Sequence, residues 1–323
     1  MIQRSARTDD LTGQPSPYEL ARRVCADFRT WAPQLGEAPR IEPVKESGKS
    51  NWTFRLRSPG CSWALRVNRK PDPTGVNRER EINLHNLAAR HGIAPPVVLS
   101  DPEAGFLLTE WISTPTFPSS AKLDGTFDGD GQSISANPLY LSRFLRTLHA
   151  IPLPASLAQS PLQVVRRLNT FRSMLPSDSL ARLASHAQDE QLLHAESLLA
   201  EGTFTPVFCH NDLNPTNLLA ISPADEKEPC HLLALDWEYA CAGDALFDLA
   251  VAGTTLADSN ADELLEAYLQ RTPSVLEEQR YRSTAVLVTT LELFWFELYG
   301  SSEDFQVCLN RYPERIKRWA ASR

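Results

Sequence analysis

Residues 207–220, VFCHNDLNPTNLLA, set His210, Asp212 and Asn217 in the pattern His-x-Asp-x4-Asn between two apolar runs. Buried polar groups cost free energy unless each finds a partner. An ordinary surface turn, in contrast, is not gripped by apolar residues on both sides, so the stretch reads as a loop with a chemical task. At 24 positions beyond Asp212, Asp236-Trp237-Glu238 closes a second apolar run, HLLALD. Upstream, Arg66 lies in a strand-like run and Glu79 in the helical pattern after it, with Glu81 as a rival at nearly the same helix position. These residue types meet the needs of phosphoryl transfer from ATP. A carboxylate must accept or orient the attacking hydroxyl, an amide oxygen and a second carboxylate must hold Mg2+, and a cation fixed by a Glu must steady the phosphates. On that reading Asp212 is the base and His210 shares its catalytic loop. Asn217 and Asp236 are the metal ligands, and Arg66–Glu79 is the phosphate clamp. Asp248 either steadies the loop by hydrogen bonding or simply starts a helix.

The elements that must position these groups follow from periodicity and turn chemistry. PYELARRVCADF reads as a first helix. NWTFRLR and SWALRVNRK, joined by SPGC, read as a hairpin with a Pro-Gly turn. NREREINLHNLAARHG reads as a helix with Leu84 and Leu87 on one face and Gly92 as its stop. PPVVLSDPEAGFLLTEWI reads as a second hairpin. Residues 113–137 are rich in Ser, Thr, Gly and Asp and read as a linker or long loop. From Pro138 onward helices dominate: LYLSRFLRTLHAI, PLQVVRRLNTF and DSLARLASHAQDEQLLHAESLLAEG. NLLAIS and HLLALD then form another hairpin, and helices finish the chain. No internal repeat is visible. The expectation is an α+β chain, with a sheet-plus-helix lobe at 1–112 that opens on a loose lead-in at 1–16. A larger, mainly helical lobe fills 113–323.

Bulk composition narrows the class. The chain has 323 residues, 42% apolar and 22% charged, as in ordinary globular proteins. Its 40 acidic residues outnumber 32 basic ones, for a formal charge of −8, and no dense basic stripe appears, which argues against nucleic acid as a partner. The six cysteines include no CxxC pair, so a zinc ribbon or redox motif is not expected. The N-terminal MIQRSARTDD lacks an apolar h-region. The most apolar stretch, STAVLVTTLELFWFELYG, carries Glu292 and Glu297 and reads as a core helix, not a membrane span. These features set the expectation of a cytoplasmic chain with free thiols.

The constellation resembles that of the kinase-like small-molecule phosphotransferases, which include aminoglycoside phosphotransferases, choline and ethanolamine kinases and thiamine kinases. VFCHNDLNPTNLLA resembles their catalytic motif. DWEYACAGDALFDLA resembles their metal-binding strand and the helix after it, SGKSNWTF the short nucleotide loop of choline kinases, and NREREINLHNL their Glu-bearing helix. The resemblance covers about residues 40–300. It implies a protein-kinase-like bilobal fold with ATP between the lobes, contacted by Ser47, Ser50 and Asn51 of the loop and by a hinge near Thr109, Glu110, Trp111 and Ile112. Arg66 stands where protein kinases carry Lys, as it often does in choline and thiamine kinases, and supplies a permanent charge. Ser47 departs from the first Gly common in the loop. For the acceptor, the resemblance implies Glu238, Tyr239 and Trp295, with Tyr239 and Trp295 as aromatic partners of a cation. Leu298 replaces the second Trp usual in choline kinases, whereas Trp295-Phe296-Glu297 resembles thiamine kinases.

The expected activity is therefore ATP- and Mg2+-dependent phosphorylation of the hydroxyl of a small cationic alcohol, resembling thiamine, choline or ethanolamine. Three alternatives stay open at this point. The first is an aminoglycoside or sugar as acceptor, with the Asp-rich 124–130 segment contributing. The second is a non-catalytic binding module that keeps the fold. The third is a metal-dependent hydrolase using His210 and Asp212, which would need more His and carboxylate ligands than the sequence offers.

Overall fold

In the computed structural model, residues 15–44, 51–69, 75–112, 137–187, 190–200, 203–221, 231–256 and 258–320 are described. Ser47 and Ser50, and the connector at 113–136, lie outside them. The chain divides into two compact units, Met1–Ala89 with Pro95–Ser113, and Arg90–Ala94 with Thr114–Arg323.

The first unit contains α1 (Pro17–Ala26), a short α2 (Phe28–Trp31), β1 (Arg40–Pro43), β2 (Asn51–Ser58), β3 (Cys61–Asn68), most of α3 (Arg78–Arg90), β4 (Val97–Asp101) and β5 (Phe106–Glu110). The strands form one antiparallel sheet in the order β1-β2-β3-β5-β4. Both hairpins expected from the sequence are present. The β4–β5 turn is closed by Asp101, whose carboxylate accepts the Ala104 N–H (2.8 Å), and by Gly105 at φ +85°, a left-handed backbone that glycine adopts without steric cost. Alternation along the strands sends Phe54, Leu56, Trp63, Leu65 and Val67 to one face, where Leu20, Ala21, Val24 and Cys25 of α1 cover them. The even-numbered residues of β3, Arg66 among them, must then face the other side. The helix α3 ends at Arg90, and Gly92 at φ +72° follows as its left-handed stop.

The second unit contains α4 (Pro138–His149), α5 (Ala155–Ala158), α6 (Val164–Met174), α7 (Ser177–Ala187), α8 (Glu190–Ala200), β6 (Val207–Cys209), β7 (Leu218–Ile221), β8 (His231–Ala234), β9 (Cys241–Gly243), α9 (Ala245–Gly253), α10 (Asp258–Leu269), α11 (Val275–Tyr299) and α12 (Ser302–Ala320). The long helical run read at 178–202 comprises α7 and α8, with 188–189 and 201–202 outside the described residues. The apolar helix read from Ser283 starts earlier, at a capping box in which Ser274 and Glu277 satisfy each other's backbone N–H groups. It is the hub of the unit, packing against α6, α8, α9 and α12. Among the described residues, no helix is long and apolar enough to cross a membrane. Two small antiparallel pairs, β6–β9 and β7–β8, carry the polar loop. The helix α4 packs on β6 and β8, and α9 packs on β6.

Candidate active site

The loop 210–217 leaves β6 and enters β7 through a 3-10 turn at Pro215–Asn217. Its apolar anchors, Phe208, Leu213 and Trp237, are fully buried, and Phe208 stacks on Trp237 with centroids 5.6 Å apart. His210 is buried as well, its ring edge-on to Trp237 at 4.6 Å. Its Nε2 lies 2.8 Å from the Leu235 carbonyl, and its Nδ1 accepts the Asp212 N–H at 3.2 Å. One nitrogen donates and the other accepts, so the ring is held neutral as the Nε2–H tautomer. Burial pushes its pKa down, consistent with that state. The sequence groups His210 with the catalytic residues. The structure turns it inward, where it fixes the backbone of Asp212 and faces no open ground for a reactant.

Asp248, near the start of α9, holds the loop from below. Its Oδ2 accepts the His210 N–H (2.9 Å) and its Oδ1 the Asn211 N–H (2.6 Å). His149 of α4 reaches the same Oδ2 through Nε2 at 3.2 Å and meets the Tyr268 hydroxyl through Nδ1 at 2.9 Å. Asn211 itself stands at φ +66°, a left-handed conformation that Asn tolerates better than most residues. Its side chain donates to the Tyr239 carbonyl (3.0 Å), joining the loop to the turn after β8.

Two amides fix the Asp212 carboxylate. Asn214 Nδ2 donates to Oδ1 (3.0 Å), while Asn217 Nδ2 donates to Oδ2 (2.7 Å) and to the Asp212 backbone carbonyl (2.9 Å). Asn214 also caps the 3-10 turn by accepting the Thr216 N–H at 3.1 Å. Burial raises the Asp212 pKa to about 8, with repulsion from Asp236 and then Glu238 adding to it and the two amides opposing. The residue as a whole stays part-exposed.

Asn217 and Asp236, the two expected metal ligands, are tied together by the backbone: the Leu235 N–H donates to the Asn217 carbonyl at 2.8 Å. Asp236 sits at φ +60°, just before the 3-10 turn Trp237–Tyr239. With Nδ2 of Asn217 spent on Asp212, its Oδ1 is the ligand atom left to it. A carboxamide oxygen beside mutually repelling carboxylates is a hard-oxygen donor set that suits Mg2+. Tyr239, on the same turn, has its hydroxyl 3.4 Å from Trp295 Nε1, and Trp295 lies edge-on to Phe296 at 5.3 Å and tilted against Tyr299 at 5.9 Å. Glu238, Tyr239 and Trp295 are all part-exposed, and burial raises the Tyr239 pKa, with Glu238 adding to it.

In the first unit, Arg66 Nη2 donates to Glu81 Oε1, and Arg78 Nη1 donates to Glu81 Oε2 at 2.9 Å. The clamp expected between Arg66 and Glu79 is therefore formed by Glu81, which is 1% exposed, while Glu79 is exposed. Helix geometry gives the reason. Glu81, Leu84, His85 and Ala88 recur at the three- and four-residue spacing of one buried face, and Glu79 lies roughly 200° around the helix from Glu81. Asn51, buried at the start of β2 and opposite Asn68, has an amide oxygen without a hydrogen-bond partner among the described residues. Such an orphaned polar atom suits a ligand-contacting position. Of the expected hinge, Glu110 and Trp111 spend their N–H groups on the carbonyls of Pro96 (3.0 Å) and Ser62 (3.1 Å), and Arg55 lies 4.6 Å over the Trp111 ring. Ile112 is half-buried just beyond them.

Comparison with known proteins bears on the family and the fold. The sequence model of the phosphotransferase enzyme family matches residues 41–282. Protein LicA of Haemophilus influenzae is 26% identical over 230 residues, which are 70% of this chain and 62% of that protein, so the match spans less than two thirds of that relative. The crystal structure of choline kinase LicA from Streptococcus pneumoniae superposes with a TM-score of 0.68 at 19% identity, covering 94% of this chain and 99% of that one. A choline/ethanolamine kinase family protein from Mesorhizobium loti gives 0.62 at 20% identity, covering 93% and 99%. At these identities the likeness is one of fold, and the α+β, kinase-like fold expected from the sequence is the fold of this chain.

Proposed function

Since this chain belongs to the phosphotransferase enzyme family, we propose that it moves the γ-phosphate of ATP, with Mg2+, onto the hydroxyl of a small cationic alcohol. The observation that carries this reading is Asp212. Its carboxylate is fixed by Asn214 and Asn217 and has a pKa near neutrality, at about 8, which suits a group that accepts a hydroxyl proton as the phosphoryl group arrives.

The chain's own residues divide the work. Asp212 orients the acceptor hydroxyl and takes its proton. Asn217 and Asp236 would hold Mg2+, which supplies neutralisation of the phosphate charge. Arg66, held by the buried Glu81, offers a guanidinium for the nucleotide phosphates. Asn51 contacts the nucleotide from the start of β2, and Trp111 and Ile112 provide its apolar wall. His210 and Asp248 act through the loop backbone and keep Asp212 in place. Glu238, Tyr239 and Trp295 receive the acceptor, because aromatic faces beside a carboxylate favour a cationic group. The part-exposed Tyr239–Trp295 pair next to Glu238 favours an acceptor with a cationic group over a neutral sugar.

The test is an ATP-consumption assay with Mg2+ against choline, ethanolamine, thiamine, aminoglycosides and simple sugars. One cationic alcohol should drive turnover. Turnover confined to sugars or aminoglycosides would overturn the acceptor assignment, and turnover independent of any alcohol would overturn the reaction.

A further inference from the structure

The helix α6 brings a third charge to the acceptor end of the site. The Arg167 guanidinium carbon lies 5.3 Å from the Tyr239 ring centroid and 5.3 Å from that of Phe171, one turn further along α6. Tyr239 in turn meets Trp295, while Phe171 meets Tyr299 at 6.4 Å. Arg167 is half-buried, and among the described residues its guanidinium has no hydrogen bond and no ion pair.

Four other part-buried arginines of the same unit are matched by carboxylates. Arg280 pairs with Asp244 (2.8 Å), Arg282 with Asp262 (2.7 Å), Arg315 with Glu292 (2.6 Å) and Arg172 with Glu196. A guanidinium carries five N–H donors in a fork that matches carboxylate geometry. The two rings can engage its face but cannot satisfy those donors. Tyr239 is only three residues beyond Asp236 and adjoins Glu238, so the unmatched cation stands at the place assigned to the acceptor.

On the reading of the site given above, we propose that Arg167 is a specificity-determining residue that pairs with a carboxylate on the acceptor. The substrate is then a small zwitterion carrying a hydroxyl, an ammonium group and a carboxylate. Glu238 and the aromatic rings take the ammonium end and Arg167 takes the carboxylate end. A purely cationic alcohol such as choline leaves Arg167 unmatched and places like charges around one aromatic ring.

Two pairs test this, ethanolamine against serine, which adds a carboxylate on the amine-bearing carbon, and choline against carnitine, which adds a carboxymethyl group on the hydroxyl-bearing carbon. Binding is followed by intrinsic tryptophan fluorescence without ATP, on wild-type protein, Arg167→Ala and Arg167→Lys. Thermal midpoints establish that each variant is folded. The carboxylated member should bind ~10-fold or more tightly to wild type, the size of one charge-assisted hydrogen bond. Arg167→Ala should bring that ratio close to one, and Arg167→Lys should keep part of it. Equal or weaker binding of carnitine and serine, no binding of any of the four, or an equal loss for both members of a pair in Arg167→Ala would overturn the proposal. An equal loss would make Arg167 a support for Tyr239 alone. The phosphotransfer reading stands or falls separately, on Asp212-dependent ATP turnover over the wider acceptor panel.

Discussion

Replacing Asp248 by Asn changes one atom and removes a charge at the point where the catalytic loop is fastened. In the native protein Asp248 accepts two backbone N–H groups, from His210 at 2.9 Å and Asn211 at 2.6 Å, and also faces His149 Nε2 at 3.2 Å. The amide can offer one oxygen, so its NH2 group must face a backbone N–H donor. At least one buried N–H is then orphaned, which costs about 1–3 kcal/mol, and the surviving bond loses its charge assistance, about 1 kcal/mol more. Asn211 at φ +66° also loses the contact that fixes its backbone, adding strain relief as a route for the loop to rearrange. The expected destabilisation is about 3 kcal/mol, read as a shift of the urea midpoint at unchanged slope. Because Asp212 follows directly, kcat should fall ~10-fold or more, in line with the sensitivity of catalysis to ångström-scale misplacement. A variant with stability within about 0.5 kcal/mol of wild type, the range of ordinary surface substitutions, and unchanged kcat would refute this account of the loop.

The raised pKa of Asp212 sets two further expectations. In the free protein, kcat/KM at limiting Mg2+ should rise with pH up to about 8, and a flat profile from pH 6 to 8 would contradict it. The folded state binds the Asp212 proton more tightly than the unfolded chain does, so stability should decline as pH rises from the ordinary carboxylate range toward 8. Asp212→Asn removes that decline, by at most about 1.4 kcal/mol per pH unit, and denaturation at pH 5 and pH 8 should show the variant gaining on wild type at the higher pH. Glu81→Gln should raise the ATP KM ~10-fold, the worth of a charge-assisted bond, whereas Glu79→Gln should leave it unchanged. Equal effects of the two substitutions would contradict the pairing of Arg66 with Glu81.

Local patterns in the sequence carried much of this architecture. The hairpins at 51–68 and 97–110 follow from strand alternation and turn residues, and the loop 210–217 stands out because its polar block is flanked by residues that are fully buried in the fold. What the sequence missed depends on helix phase or on distant contacts. Glu79 and Glu81 look alike in a helical pattern, and only the buried face at Glu81, Leu84, His85 and Ala88 tells them apart. Asn214 carried a legible signal as an Asn-Pro cap, but its second bond, to Asp212, needs the loop closed. The inward turn of His210 depends on Leu235 and Trp237, 25 and more residues away. Arg167 belongs to no motif, and its place against Tyr239 arises from packing between α6 and a turn more than 70 residues later.

The most direct measurement is acceptor-dependent ADP release by wild-type protein and by Asp212→Asn, with Mg2+-ATP and the alcohol panel, alongside nucleotide affinity for both. A positioned base at Asp212 predicts turnover on a small charged alcohol, a loss of ~100-fold or more in the variant, and nearly unchanged ATP affinity. Wild-type-like turnover in Asp212→Asn would contradict it.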